Sequence, residues 1–128
     1  MRYHDYHLRE YSVSDYGCQI TLLLAWDYPG TKRPDSLIQF SEVAAYHFSH
    51  TAGAIISDII EMPLDSLVRE EEAFFNESAR QASLRFWRDG LEQYLGFLKN
   101  ETFKAYRIES SIGFSGFVIA KRVGGKDE

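Results

Sequence analysis

The chain has 128 residues and a mass of 14.8 kDa, which is enough for one ordinary domain and too little for two. Apolar residues make up 45% of it and aromatic residues 15%, so there is ample material for a buried core and wholesale disorder is excluded. Acidic residues outnumber basic ones, 19 to 14, and the net charge of -5 makes nucleic acid an unexpected ligand.

The first half of the chain is predicted to form strands. Residues 18–27 alternate with a period of two, which is typical of a β-strand. The aromatic segment at residues 3–13 precedes this strand and is expected to pair with it across a turn at residues 14–17. Two prolines and a Pro-Gly pair predict a loop at residues 28–35.

Residues 36–61 continue the strand pattern. The parity of the apolar positions slips once within residues 36–50, which predicts a bulge near Ser41 and Glu42. A turn is expected at residues 51–53. Residues 54–61 are apolar on both faces, which is typical of a central strand covered on both sides.

Helical spacing begins after Pro63. Apolar residues recur at helical intervals over residues 64–75 and again over residues 84–98. The two stripes would point in opposite directions on one continuous helix, so we predict two helices with a break between Asn76 and Ser83; a longer first helix is an alternative. The second helix is expected to end at Asn100.

Residues 103–123 are predicted to form a hairpin, which completes the order of elements from which we predict the fold. Residues 103–110 and 115–123 are predicted strands, with a tight turn at residues 111–113. The whole pattern predicts an α+β fold: a single antiparallel sheet with two helices inserted before a C-terminal β-hairpin. We expect one domain over residues 1–123 and a flexible C-terminal tail over residues 124–128. The predicted core includes Leu22, Leu24, Trp26, Ile56, Leu91 and Leu95.

The N-terminal residues, the apolar runs and the single cysteine indicate the cellular compartment in which the protein is expected. The first residues carry charges where a signal peptide needs an apolar stretch, so export by that route is not expected. The most apolar run, residues 20–26, is far shorter than the roughly 20 residues that a membrane-spanning helix needs. Cys18 alone excludes an intrachain disulfide framework and a multi-cysteine zinc site. We therefore expect a cytoplasmic protein with no membrane partner.

The histidines form two H-x-x-H pairs, His4 with His7 and His47 with His50. Both pairs lie in predicted strands, where residues three apart point to opposite faces, so we expect no metal and no cofactor. A metal site made across two strands with Asp5 or Asp58 is an alternative. Cys18 begins an apolar strand face, which favours an inert core thiol, and no catalytic residue is assigned.

Carboxylates accumulate between residues 58 and 77. The ordinary interpretation of such a run is a solvated helix face, and the functional interpretation is a surface that receives a basic partner. Tyrosine suits interfaces because its ring is apolar and its hydroxyl can bond to water. The predicted partner-binding residues are Asp58, Glu61, Asp65, Glu70, Glu71, Glu72 and Tyr46.

Three segments carry a resemblance to known proteins: residues 40–50, 55–61 and 106–116. They resemble small uncharacterised bacterial proteins, some of which are similar to the immunity proteins of contact-dependent and polymorphic toxin systems. The resemblance implies that the partner is a protein, namely a basic toxin. It identifies no functional residue.

We therefore expect a non-enzymatic protein-binding module, most concretely an antitoxin-like inhibitor of a basic partner. One alternative is a small-molecule-binding domain or enzyme with a pocket between sheet and helices, in which His47, His50, Asp58 or Glu109 acts as acid or base. Another is a structural subunit of a bacterial or phage assembly, and a homodimer is compatible with each of these.

Overall fold

The computed structural model describes residues 3–127, and it has the predicted α+β architecture with one open antiparallel sheet. Four strands are ordered β1-β2-β3-β4 in the sheet. In chain order the elements are β1 (His7–Ser14), β2 (Gln19–Ala25), β3 (Ser36–Met62), α1 (Leu64–Glu70), α2 (Glu72–Arg80), α3 (Leu91–Asn100) and β4 (Lys104–Asp127).

β1 and β2 form the predicted hairpin. The ladder runs from His7 opposite Ala25 to Ser14 opposite Gln19, with one irregularity between Leu8 and Glu10. The period of two in β2 arises because Ile20, Leu22 and Leu24 face the core and are buried, while Gln19, Thr21 and Leu23 lie on the other face and are half-buried. The alternation in β2 and the aromatic segment before it were therefore sufficient to predict both strands, and the turn predicted at residues 14–17 lies between them.

β3 and β4 form one long antiparallel ribbon, and this differs from the predicted hairpin. Residues 103–110 and 115–123 do not pair with each other, because residues 104–127 are one strand that pairs with β3 from Met62 opposite Ala105 to Ser36 opposite Asp127. The ribbon is interrupted by bulges where both predicted turns lie, at residues 51–53 and 111–113. Gly113 is needed there because a Cβ would lie 2.5 Å from the carbonyl oxygen of Gly53.

The expected bulge near Ser41 and Glu42 is found close to its predicted position. Glu42 has a φ of 52°, and the register with β4 shifts between Val43 and Ala45. Residues 124–127, expected to belong to a flexible tail, continue β4, with Gly124 opposite Gln39. Residue 128 lies outside the described residues.

The sheet curls and thereby separates two apolar clusters. β2 pairs with residues 36–41 of β3, and His7 and Leu8 of β1 pair with Ile55 and Ala54 further along the same strand. One cluster lies inside the curl, and the other lies between the opposite face of the ribbon and the helices. Residues 54–61 were predicted to be covered on both faces, but only the face of Ala54 and Ile56 is buried, in the cluster inside the curl, while Ile60 is 38% exposed.

The helical region contains three helices where two were expected. Glu71 ends α1 and begins α2, and residues 81–90 after α2 are not helical. Ala82 and Phe86 have positive φ values of 56° and 71°, which an α-helix cannot contain. Leu84 and Trp87 still pack against the helix-side cluster, so their apolar spacing reflects burial without a helix.

The predicted core is mostly correct. Leu22, Leu24, Ile56 and Leu95 are buried, whereas Trp26 and Leu91 are only half-buried at the edges of the two clusters. Within residues 3–127, no helix has both the length and the apolar character needed to cross a membrane.

Candidate functional site

The turn between β1 and β2 presents one tyrosine to solvent. Tyr16 is 97% exposed, the highest value among the exposed large apolar residues of the described chain. The amide of Gly17 donates to the carbonyl oxygen of Ser14 at 3.2 Å, and the amide of Cys18 donates to that of Asp15 at 2.9 Å. The ring of Tyr16 thus stands on a turn whose backbone is closed by two hydrogen bonds.

The backbone at this tyrosine is in an unfavourable region for its residue type. Asp15 and Tyr16 have φ values of 53° and 56°, the left-handed region that glycine adopts freely. Aspartate tolerates this region because of its short polar side chain, but for tyrosine it costs roughly 1 kcal/mol. Tyr16 therefore contributes neither core burial nor favourable turn geometry. Strained, exposed side chains of this kind are a reason to look for function at the position.

Arg85 fixes this turn to the helical layer. Its Nη2 donates to the carbonyl oxygen of Tyr16 at 3.0 Å, and its Nη1 contacts Sγ of Cys18. The segment that carries Arg85 is anchored in turn, since the amide and the hydroxyl of Ser83 both donate to the carbonyl oxygen of Ser78. Among the ion pairs of residues 3–127, none joins Arg85 to a carboxylate.

Two hollows flank Arg85. The first, of about 400 Å³, lies between the strands and α3; the second, of about 530 Å³, lies between the Tyr16 turn and α2. Both volumes are in the range of sites that accept a side chain or a small ligand. The first is bordered by Cys18, Glu42, Phe86, Phe97, Glu101 and Lys121, and the second by Tyr16, Tyr46, Phe74, Ser78, Ala82 and Leu84.

The first hollow has an aromatic wall and a charged rim. Phe86 and Phe97 stack with ring centres 4.9 Å apart, and Phe86 is 36% exposed. On the rim, Nζ of Lys121 lies 5.2 Å from the ring centre of Phe103 and 3.5 Å from Oε1 of Glu101. An apolar surface edged by charges is typical of a site that binds an amphipathic group.

Most of the predicted acidic residues are engaged within the protein. Asp65 lies 2.5 Å from Nζ of Lys99, and the hydrogen bond from that ammonium group lowers the pKa of the Asp65 carboxyl. Glu70 and Glu71 approach the two Nη atoms of Arg107 at 3.9 and 3.8 Å. These pairings reduce the negative field that the segment presents to a partner.

The two predicted acidic residues of β3 do not share a surface. Asp58 lies opposite Glu109 in the ladder and accepts the amide of Ile59 at 2.8 Å. Glu61 points to the other face, 4.0 Å from Nζ of Lys104. Glu72 is exposed on α2, and no ion pair is found for it within the described chain. Tyr46 is the one predicted partner-binding residue that borders the hollows beside Arg85.

The histidines are dispersed. His47 lies 4.7 Å from the ring of Phe74, and His50 lies 5.8 Å from the ring of Tyr11. His4 has its Nδ1 2.9 Å from the carbonyl oxygen of Ser57. Over residues 3–127, no group of three or more His, Cys, Asp or Glu side chains could hold a metal ion.

Two features of the site were not predicted. Cys18 is half-buried at the rim of the first hollow, whereas the sequence predicted a core thiol, because β2 begins one residue later. Arg85 lies at the start of residues 84–98, which were predicted to be helical, and its contact with Tyr16 joins residues 69 apart in the chain. Only the Ser-Asp-Tyr-Gly turn itself was visible in the sequence.

No protein-family model matches the chain, and no curated protein gives a significant match.

Proposed function

We propose that this protein is a protein-binding module whose partner docks on the Tyr16 surface, meaning Tyr16, Arg85, Phe86 and the two hollows beside them. The observation that carries the proposal is the position of Tyr16: 97% exposed, at a φ of 56° that disfavours tyrosine. A ring kept at such a place contributes little to folding, so an external contact is the simplest reason for it.

The residue types suit that role. Tyrosine and arginine are enriched among the residues that dominate interface energies, and such residues contribute most when the contacts around them exclude water. The hydrogen bond from Arg85 at 3.0 Å holds the Tyr16 turn in place before binding, which limits the conformational entropy lost on association.

The charge of the chain favours a basic partner. At a net charge of -5, the protein attracts cationic proteins over distances of about a Debye length, which raises the association rate. The internal pairing of Asp65, Glu70 and Glu71 reduces their share of this long-range field and leaves the close contacts to Tyr16. Inhibition of a basic toxin, which the sequence resemblance implies, is a function of this kind.

Site-specific photocrosslinking in the host tests the proposal. A photoreactive phenylalanine derivative replaces Tyr16 in one variant and Ser12, exposed on the same hairpin, in the control. We expect one discrete adduct with a second protein at position 16 and none at position 12. The adducted protein, purified, must then bind the unmodified chain with a measurable Kd. Absence of an adduct at position 16, or an adduct only with another copy of this chain, contradicts the proposal.

A further inference from the structure

The curl of the sheet leaves a hollow where the two ends of the β3–β4 ribbon approach each other. Ile38, near the start of β3, lies opposite Gly125, and Glu61, near the end of β3, lies opposite Tyr106. These four residues border a hollow of about 320 Å³. Its walls are completed by the side chains of Tyr3, Ile59 and Val123. Among residues 3–127, it shares no lining residue with the two hollows of the Tyr16 surface.

Tyr106 brings an unpaired hydroxyl group to this hollow. Tyr106 is only 6% exposed, and its ring centre lies 5.4 Å from that of Phe40. Its hydroxyl group makes no hydrogen bond within residues 3–127. Burial and the charge of Glu61 raise the pKa of Tyr106, so the hydroxyl stays neutral and can accept as well as donate. Because buried polar groups are normally hydrogen-bonded, this one indicates a partner that enters the hollow.

Glu61 places a negative charge beside that hydroxyl group. Its side chain is 55% exposed, and within the described chain its one ion pair is with Nζ of Lys104, at 4.0 Å. An exposed pair at this distance contributes little, so the carboxylate can exchange this ammonium group for another. A carboxylate only accepts hydrogen bonds, and the Tyr106 oxygen can accept as well. Both can therefore bind one group that carries several N–H donors.

The rest of the hollow is apolar and aromatic. Ile38 belongs to the cluster inside the curl, Ile59 packs against that cluster, and Val123 is 41% exposed at the rim. A Cβ at Gly125 would lie 2.5 Å from the hydroxyl oxygen of Tyr3, so this glycine leaves the space in which Tyr3 forms a wall. Aromatic rings attract cations, and apolar walls shelter an alkyl chain.

We propose that this hollow binds a primary alkylammonium group, with its N–H donors on the Glu61 carboxylate and the Tyr106 hydroxyl and its alkyl chain along the apolar wall. A primary ammonium group has three donors, enough for both oxygens and one water. The net charge of -5 favours a cation over an anion of the same size. A free amine and a lysine side chain both carry this group. The site is independent of the Tyr16 surface.

Titration of the full chain with hexylammonium, followed by amide chemical shifts in NMR spectra, tests the site. We expect a Kd of about 1 mM or below, with shifts at residues that border the hollow and none at Tyr16 or Arg85. Hexanol and hexanoate, which have the same chain length, should bind at least about tenfold more weakly. Nα-acetyl-lysine amide distinguishes the two sources. A Kd within about threefold of that for hexylammonium identifies a lysine side chain as an occupant, and much weaker binding identifies a free amine.

Substitutions test the two oxygens. Glu61→Gln should raise the Kd for hexylammonium by about tenfold, and Tyr106→Phe should raise it by about fivefold. Glu109→Gln is the matched control, because it removes an exposed carboxylate of the same ribbon outside the hollow, and it should change the Kd by less than about twofold. Lys104→Gln removes the competing ammonium group and should lower the Kd. Urea midpoints show that each variant is folded.

Two results overturn the proposal. One is the absence of shifts around the hollow up to about 20 mM hexylammonium. The other is equal binding of hexylammonium, hexanol and hexanoate, which would show an apolar surface without selectivity for a cation. Neither result affects the photocrosslinking expected at position 16, so failure of this site and failure of the Tyr16 surface are separate results.

Discussion

The guanidinium group of Arg85 donates through Nη2 to the carbonyl oxygen of Tyr16 at 3.0 Å, joining two residues that are 69 positions apart. The bond connects the tip of the β1–β2 hairpin to the segment after α2. It therefore links the exposed ring to the helical layer of the fold.

Arg85→Ala should loosen the Tyr16 turn. Loss of the guanidinium removes a hydrogen bond to a backbone oxygen at an exposed site, so we expect about 1 kcal/mol of destabilisation in urea unfolding. The amides of residues 15–18 should exchange faster than in the wild type. Arg88→Ala, which changes an exposed arginine of the same segment, should leave both measurements unchanged. Equal effects of the two substitutions would show that the bond to Tyr16 has no separate role.

Leu24→Ala tests the face of β2 that lies inside the curl. Leu24 is fully buried, so truncation should lower the free energy of unfolding by about 2–5 kcal/mol. Leu23→Ala, on the half-buried outer face of the same strand, should lower it by less. Urea midpoints measure both. An unchanged midpoint for Leu24→Ala would contradict the assigned strand face.

Tyr94→Phe should stabilise the protein. Tyr94 is fully buried on α3, and its hydroxyl group has no hydrogen-bond partner among residues 3–127. Removing an unsatisfied buried hydroxyl should raise the free energy of unfolding by roughly 1 kcal/mol. Tyr6→Phe is the contrast, because the hydroxyl of Tyr6 donates to the carbonyl oxygen of Pro34 at 3.4 Å, and its loss should not stabilise.

The same tyrosine should govern part of the alkaline stability. Burial raises the pKa of Tyr94 above its usual value near 10, so above pH 10 the unfolded chain releases this proton while the folded chain keeps it. Stability should then fall as pH rises, by up to about 1.4 kcal/mol per pH unit for this group. Tyr106, whose pKa is raised by burial and by Glu61, adds to the decline. Tyr94→Phe should therefore lose less stability than the wild type between pH 10 and pH 12; identical slopes would refute this.

Replacing Glu70 and Glu71 with glutamine tests whether these carboxylates act inside the protein. The double substitution leaves Arg107, which is mostly buried, without its two carboxylate partners, so we expect a loss of about 1 kcal/mol that diminishes in high salt. Glu72→Gln removes an exposed carboxylate of the same run and should have little effect. Urea unfolding at low and high salt measures both. A larger effect of Glu72→Gln would contradict this account of the acidic segment.

Local patterns predicted β2, the β1–β2 turn and the end of α3, because each depends on neighbours in the chain. Residues 104–127 form one strand, β4, where the sequence predicted two strands joined by a turn. A glycine such as Gly113 is expected both in a hairpin turn and in a bulge where two backbones come close, so the sequence could not distinguish them. The negative charge that residues 58–77 present to a partner was overestimated for a similar reason. Lys99 and Arg107 lie far from Asp65 and Glu70 in sequence, and only the fold brings them together.

The most direct test of the Tyr16 surface is the affinity of Tyr16→Gly for the partner captured at position 16, measured beside Asp15→Gly. Both substitutions place glycine at a positive φ in the same turn, so both should leave the fold intact and increase its stability slightly. Only Tyr16→Gly removes the exposed ring. We expect its Kd to rise by about thirtyfold or more, corresponding to a loss of about 2 kcal/mol, while Asp15→Gly stays within about threefold of the wild type. Equal affinities for Tyr16→Gly and the wild type would contradict the proposed role of Tyr16.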